Sequence, residues 1–281
     1  MKMWKTVAIV GVGLIGGSIG RALQRKKLAQ RVVGVGRHEN KLRRAQRLGI
    51  VTDFSVCVED GVREADLVVV CTPVASIVEH VRRVASACSP KSLITDVGST
   101  KSAICSALTA RRLPGATFVG SHPLAGSEKT GFDNAREDLL EGRLVIVTPQ
   151  ASTPPTAVRQ IKQFWRQLGA EVHQMSPVAH DRTLAATSHL PHLMASVLAA
   201  STPAQVLPYV ATGWLDTTRI AAGDVQLWEQ IVMQNRGHML KSLEKFEKVL
   251  DSLRHALESD NPRPLRTILT KGKQQRDSVG N

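Results

Sequence analysis

Four polar runs in this 281-residue sequence carry groups able to move protons or hold anions. Asp96-Val97-Gly98-Ser99-Thr100-Lys101 follows one apolar run, and Gly120-Ser121-His122-Pro123-Leu124-Ala125-Gly126-Ser127-Glu128 follows another. In an open α/β sheet, ligands bind at the carboxyl ends of strands. His122 can accept a proton near neutral pH, and Ser99 or Ser121 could orient it. Either loop alone also reads as a structural turn. In Thr187-Ser188-His189-Leu190-Pro191-His192, Ser188 and His192 stand four apart and share a helix face. They either line a pocket or belong to a core. Asp216-Thr217-Thr218-Arg219-Ile220-Ala221 adds Arg219, which can grip a carboxylate in fork geometry or make a surface ion pair.

A different chemistry resides in Gly11-Val12-Gly13-Leu14-Ile15-Gly16. It follows a Val/Ile run and opens an amphipathic segment, the context of a dinucleotide turn. Gly11 permits the turn, Gly13 lets a pyrophosphate approach the backbone, and Gly16 lets helix and strand pack closely. The helix start at Leu14 and Ile15 offers free N–H groups and a positive dipole end to phosphates. Thr72 and Pro73, after another apolar run, are expected at the same cofactor. An NAD site usually carries an acid at the end of the second strand. Here Gly36 stands there and Arg37 follows, so no carboxylate repels a 2′-phosphate and a guanidinium can pair with one. NADP is the expected cofactor, with NAD through other contacts the alternative.

The elements that must hold these groups fall into two regimes. Apolar runs at Thr6–Val10, Arg31–Val35, Leu67–Cys71, Leu93–Val97, Thr117–Gly120, Leu144–Thr148 and Glu171–Met175 alternate with helix-like segments such as Val74–Ala87 and Ala157–Leu168. That alternation predicts an α/β fold, a Rossmann-type doubly wound parallel sheet. From Ser176 the strand signal stops. Val178–Ala200 reads as a long helix kinked at Pro191, Gln226–Ala256 as a second, and the tail from Lys271 as frayed. The expected domains are 1–175 for the dinucleotide and an all-helical 176–281.

Composition narrows the function. Hydrophobic residues are 42% and charged residues 22%, a globular balance that excludes wholesale disorder. Net charge is +13, but residues 1–50 hold twelve Lys/Arg against one acid, while 176–281 are nearly balanced at twelve to ten. A local positive field suits a small polyanionic ligand or nucleic acid. Aromatics are only 4% and no nucleic-acid motif is present, so nucleic acid is not the expected partner. The scattered cysteines Cys57, Cys71, Cys88 and Cys105 lack metal-ligand spacing, so reduced thiols and no metal are expected. No apolar run is long enough for a membrane span, and no signal peptide is evident; a cytoplasmic protein is expected.

With Trp228, these ordered motifs resemble the prephenate/arogenate dehydrogenase family over nearly the whole chain. The resemblance implies that His122 is the catalytic base and that Ser99 hydrogen-bonds it and the substrate hydroxyl. Ser188 and His192 would line the substrate pocket, Arg219 would bind a substrate carboxylate, and Glu128 with Asp216 would gate the pocket. Trp228 would lie near a dimer contact, and the helical domain would make a homodimer. The implied reaction is oxidative decarboxylation of prephenate to 4-hydroxyphenylpyruvate, with arogenate, or both cyclohexadienyl substrates, as the alternative. Thr130 is uncharged where an acid would suit the ammonium of arogenate. No appended regulatory or chorismate mutase region is expected. Rivals are a β-hydroxyacid dehydrogenase or imine reductase, which would use a catalytic Lys or Asp, and a non-catalytic dinucleotide-binding regulator.

Overall fold

The computed structural model describes residues 3–109, 113, 115–126 and 130–280. Glu128 lies outside them. Eight strands form one sheet: β1 (Trp4–Val10), β2 (Ala29–Val35), β3 (Asp53–Ser55), β4 (Leu67–Val70), β5 (Leu93–Asp96), β6 (Thr117–Pro123), β7 (Leu144–Thr148) and β8 (Glu171–Gln174). Their order is β3-β2-β1-β4-β5-β6-β7-β8. The inner strands are apolar on both faces, as buried parallel strands must be. Val7 and Ile9 of β1 join one core with Leu23, Phe164 and Trp165. Ala8 and Val10 join the opposite core with Ile77, Val81 and Ile104. That is the two-residue alternation of a strand covered by helices on both sides.

The covering helices are α1 (Leu14–Arg25), α2 (Glu39–Arg47), α3 (Val58–Val62), α4 (Ile77–Ala87), α5 (Ser102–Thr109) and α6 (Pro155–Gln167). The sheet departs from expectation in three places. β3 is an added edge strand of three half-buried residues, too short and polar to show as an apolar run. β7 runs antiparallel to β6. Only a 3-10 turn, Phe132–Asn134, is formed among the described residues between them, and a parallel return needs a crossover. β6 also continues through His122 to Pro123, so His122 sits on a strand end and not in the loop beyond it.

The helical half contains α7 (Pro177–Leu184), α8 (Leu190–Ser201), α9 (Thr212–Thr218), α10 (Val225–Gln234), α11 (Arg236–Glu258) and α12 (Pro262–Ser278). Ser176 caps α7 by accepting from the Ala179 N–H. Instead of a simple kink at Pro191, α7 passes into α8 through a π-helical segment, Ala185–His189. Proline has no N–H to return to the preceding turn, and such wide turns cluster at functional sites. The second long helix breaks at Asn235, whose buried side chain bonds elsewhere. The tail is helical to Ser278, not frayed from Lys271. No described helix is long and apolar enough to cross a membrane.

Among the described residues, one Lys–Asp pair lies wholly inside. Lys101 Nζ bonds Asp96 Oδ2, both side chains at 0% exposure. Asp96 also accepts the N–H groups of Gly98 (2.9 Å) and Ser121 (3.0 Å). It thereby joins the ends of β5 and β6. Removing one partner strands a buried charge. Lys101→Met should therefore lower the unfolding free energy by about 3–5 kcal/mol in urea titration. A loss below about 1 kcal/mol, the scale of a surface pair, would show that Asp96 is satisfied by the two N–H groups alone.

Candidate active site

The glycine turn joins β1 to α1 at the point where the sheet order reverses. Gly11 has φ +97°, and a Cβ there would meet the Cys71 carbonyl oxygen at 2.7 Å. A Cβ on Gly16 would come within 2.2 Å of the Gly11 oxygen. Gly13 differs: a Cβ there meets nothing within 4 Å, so its outer face is open. The first helical bond runs from Gly17 N–H to the Gly13 carbonyl at 2.8 Å, and no side chain caps the turn. The Leu14 and Ile15 N–H groups are left for an external acceptor. A tight turn, an open glycine and an uncapped helix start fit a dinucleotide pyrophosphate.

Thr72 and Pro73 follow β4, the neighbour of β1. Arg37 is exposed just beyond β2 and, among the described residues, makes no ion pair. A cavity of about 560 Å³ opens between Leu14 and the Leu124–Gly126 loop that follows His122, with Arg136 and Arg143 on its wall. The glycine turn and the histidine loop therefore border the same space.

His122 is buried, with 8% exposure. Its Nδ1 lies 2.9 Å from His180 Nε2, and His180 Nδ1 lies 2.8 Å from Asp181 Oδ1. Asp181 Oδ1 also accepts the Lys101 N–H (2.8 Å), and its Oδ2 the Ser102 N–H (2.9 Å). The expected bond from Ser99 to His122 is not formed; His122 Nδ1 meets His180, and Ser99 is half-buried in the segment after β5. Burial, then the neighbouring His180, Lys101 and His189, hold His122 well below the ordinary imidazole value of 6.5. Burial likewise lowers His180, against the pull of Asp181. Burial pushes Asp181 up, but its bonds to His180 and to the two N–H groups outweigh this and leave it lowered.

The helical half adds a second group. Asn235 Nδ2 donates to the Asp181 carbonyl (2.8 Å) and contacts His189 Nδ1 (3.1 Å). Burial takes His189 down to about 4. His192 is buried and stacks on Trp228, ring centroids 3.5 Å apart and 13° from parallel. Its Nδ1 is buried with no hydrogen-bond partner. Ser188 is half-buried in the π segment. Arg219 is exposed at the start of a 3-10 turn, Arg219–Ala222, packed against α8, and Asp216 is exposed on α9. The next residue, Gly223, backs onto both aromatic partners: a Cβ there would meet Trp228 Nε1 at 2.6 Å and His192 Cε1 at 3.1 Å.

The structure thus brings His122 to His180 and Asp181, and His192 to Trp228. Sequence reasoning missed His180, Asp181 and Asn235. The one available signal was a His-Asp pair directly behind the Ser176-Pro177 helix start.

Known proteins resemble this chain throughout its length. The prephenate dehydrogenase nucleotide-binding domain matches residues 19–174, and the prephenate dehydrogenase dimerization domain matches residues 176–271. A cyclohexadienyl dehydrogenase of Zymomonas mobilis is 35% identical over 93% of this chain and 91% of its own. A prephenate dehydrogenase of Bacillus subtilis is 32% identical over 99% of this chain and 77% of its own. The crystal structure of prephenate dehydrogenase from A. aeolicus, in complex with hydroxyphenyl propionate and NAD+, superposes with a TM-score of 0.90 at 31% identity, covering 99% of both chains. With both halves matched in order around one histidine site, the chain belongs to the prephenate dehydrogenase family.

Proposed function

We propose that this chain oxidatively decarboxylates prephenate to 4-hydroxyphenylpyruvate, with NADP as the preferred acceptor. The observation that carries the proposal is a buried imidazole, His122, at the end of a strand whose following loop shares a cavity with the glycine turn. Prephenate carries a ring hydroxyl and a ring carboxylate across a cyclohexadiene. A bound nicotinamide supplies the two-electron acceptor for the hydride on the hydroxyl-bearing carbon. His122 takes the hydroxyl proton. Loss of carbon dioxide then makes the ring aromatic and supplies the driving force. The chain's task is to hold a dianion in near-attack geometry. Arg219 grips a carboxylate, Ser99, Ser188 and His192 line the pocket, and Asp216 sits at its rim. The Gly11–Gly16 turn, Thr72 and Pro73 hold the dinucleotide within 1–175, and 176–281 supplies substrate contacts.

A homodimer through the helical half is part of the proposal. Phe246, Leu250 and Leu257 of α11 share one side of the helix and are 37–65% exposed in the single chain, an apolar face that a second copy would cover. A dual specificity including arogenate is the second reading, favoured by the Zymomonas relative's description as a cyclohexadienyl dehydrogenase.

Four measurements test these assignments. His122→Asn should lower kcat by roughly 10²–10⁴, the usual worth of a general base, while dinucleotide binding survives. Protonated His122 is no base, so activity is lost as pH falls through its lowered pKa. The acid limb of kcat/KM should lie below the ordinary value of 6.5, and a limb at or above it rejects a neutral resting base. Arg219→Ala should raise KM for prephenate about 10–100-fold by removing a charge-assisted bond. An unchanged KM means the carboxylate is held elsewhere. Assaying both substrates with both dinucleotides, before and after Arg37→Ala, tests the cofactor: NADP should suffer far more than NAD, and equal losses leave the preference without its support.

A further inference from the structure

We propose that His180, anchored by Asp181, is a positioning residue that fixes His122 in its Nδ1–H tautomer and turns the bare Nε2 toward the substrate hydroxyl. The proposal rests on His122 being the base, and it is carried by a chain of donors and acceptors with one consistent solution. An ionised carboxylate only accepts. His180 Nδ1, 2.8 Å from Asp181 Oδ1, must therefore carry the proton. A neutral imidazole has one ring proton, so His180 Nε2 is bare and can only accept. His122 Nδ1, 2.9 Å away, must then donate to it. His122 has no second proton, and its Nε2 keeps a free lone pair.

Other charged or titratable groups do not disturb this assignment. Lys101, from the turn ahead of α5, is bonded to Asp96 at the end of β5. His189, from the π segment, meets Asn235 through its Nδ1. Among the described residues, His180 is the hydrogen-bond partner of His122. The anchors are rigid: β6 carries His122, and α7, capped by Ser176, carries His180 and Asp181. Asp181 is itself held by two backbone N–H groups. Without this chain a histidine side chain can carry its proton on either nitrogen, and an Nε2–H tautomer would face the substrate with no lone pair.

The proton balance is simple. The substrate O–H bond breaks as the His122 Nε2–H bond forms. The imidazolium keeps its Nδ1–H bond to His180 Nε2, and through that ring the chain ends on the Asp181 carboxylate. After product leaves, the Nε2 proton passes to water.

The test uses the intact enzyme labelled with ¹⁵N-histidine. Long-range ¹H–¹⁵N correlation reads the tautomer, with the His122 signal identified by its loss in His122→Asn. Nδ1–H on His122 is expected, and Nε2–H in the wild type overturns the proposal. Kinetics add a second arm. His180→Gln keeps an acceptor near the Nε2 position, whereas His180→Phe removes it. Phe should lower kcat about 100-fold and move His122 to Nε2–H, with KM for the dinucleotide unchanged within about twofold. Gln should recover at least about tenfold of that loss. Wild-type kcat in the Phe variant, or no recovery with Gln, overturns the proposal. If Phe fails to fold, the wild-type spectrum and the Gln variant still decide. Unchanged kcat in His122→Asn removes the base itself, an outcome distinct from a wrong tautomer in an enzyme that needs His122.

Discussion

The Asp181 carboxylate joins the two halves of the molecule. It accepts the N–H groups of Lys101 and Ser102, at the start of α5 in the sheet half, and the Nδ1–H of His180 on its own helix, α7. The α5 start therefore takes its capping acceptor from a different helix. An anion is favoured there by the free N–H groups and by the helix dipole. The Asp181 main-chain carbonyl meanwhile receives Asn235, at the break between α10 and α11. Burying a carboxylate is costly unless every lone pair is met, and three charge-assisted bonds meet this one. Because the cap fixes the carboxylate, it fixes the ring of His180, and through that ring the base.

The same burial that makes ions expensive here keeps the imidazoles in their reactive form. His122, His180 and His189 all lie below the ordinary value, with burial the first cause for each. A base that rests neutral is ready to take a proton, but a strongly lowered pKa also weakens it. The reaction proposed tolerates a weak base, because aromatisation drives the step. Two opposite charges nearby, Asp96 and Lys101, are locked together. Positive charge from Lys101 still reaches His122 and pushes its pKa further down.

The sheet was legible where a strand is buried on both faces. β1 ends in Val-Ala-Ile-Val and β4 is Leu-Val-Val-Val, apolar runs that a covered parallel strand requires, and in the glycine turn between β1 and α1 both Gly11 and Gly16 have a steric reason. Legibility failed where long-range packing decides. β3 is three residues whose strand state comes from pairing with β2, not from their own apolarity. The reversal of β7 depends on what the connection lacks, which periodicity does not report. In the site, His122 was readable as an ionisable group at a strand end. His180 was not, because 58 positions separate the two rings and only the packing of α7 against α5 and β7 brings them together. Ser99 illustrates the converse: its motif suggested a bond to His122, but the fold gives His122 Nδ1 to His180. The π segment escaped because Pro191 signals a disturbed helix without saying how the turn before it will adapt.

Charge at the N-terminal end is best understood pair by pair. Arg25 meets Glu137, Lys26 meets Glu141, Arg31 meets Asp53 and Glu64, Arg43 meets Glu39, and Arg44 meets Asp133. The acids come mostly from outside the first fifty residues, so the excess of +13 is not concentrated as the sequence alone implies. A nucleic-acid surface needs a continuous track of unpaired cations to displace counterions. These pairs take five cations out of any such track. Arg37 stands apart from them: it follows the strand next to the glycine turn, and Gly36 replaces the acid that would exclude a phosphate. One guanidinium at that position is enough for a ribose 2′-phosphate, because the contact is local and bidentate. Arg37 is thus the residue on which the proposed NADP preference rests.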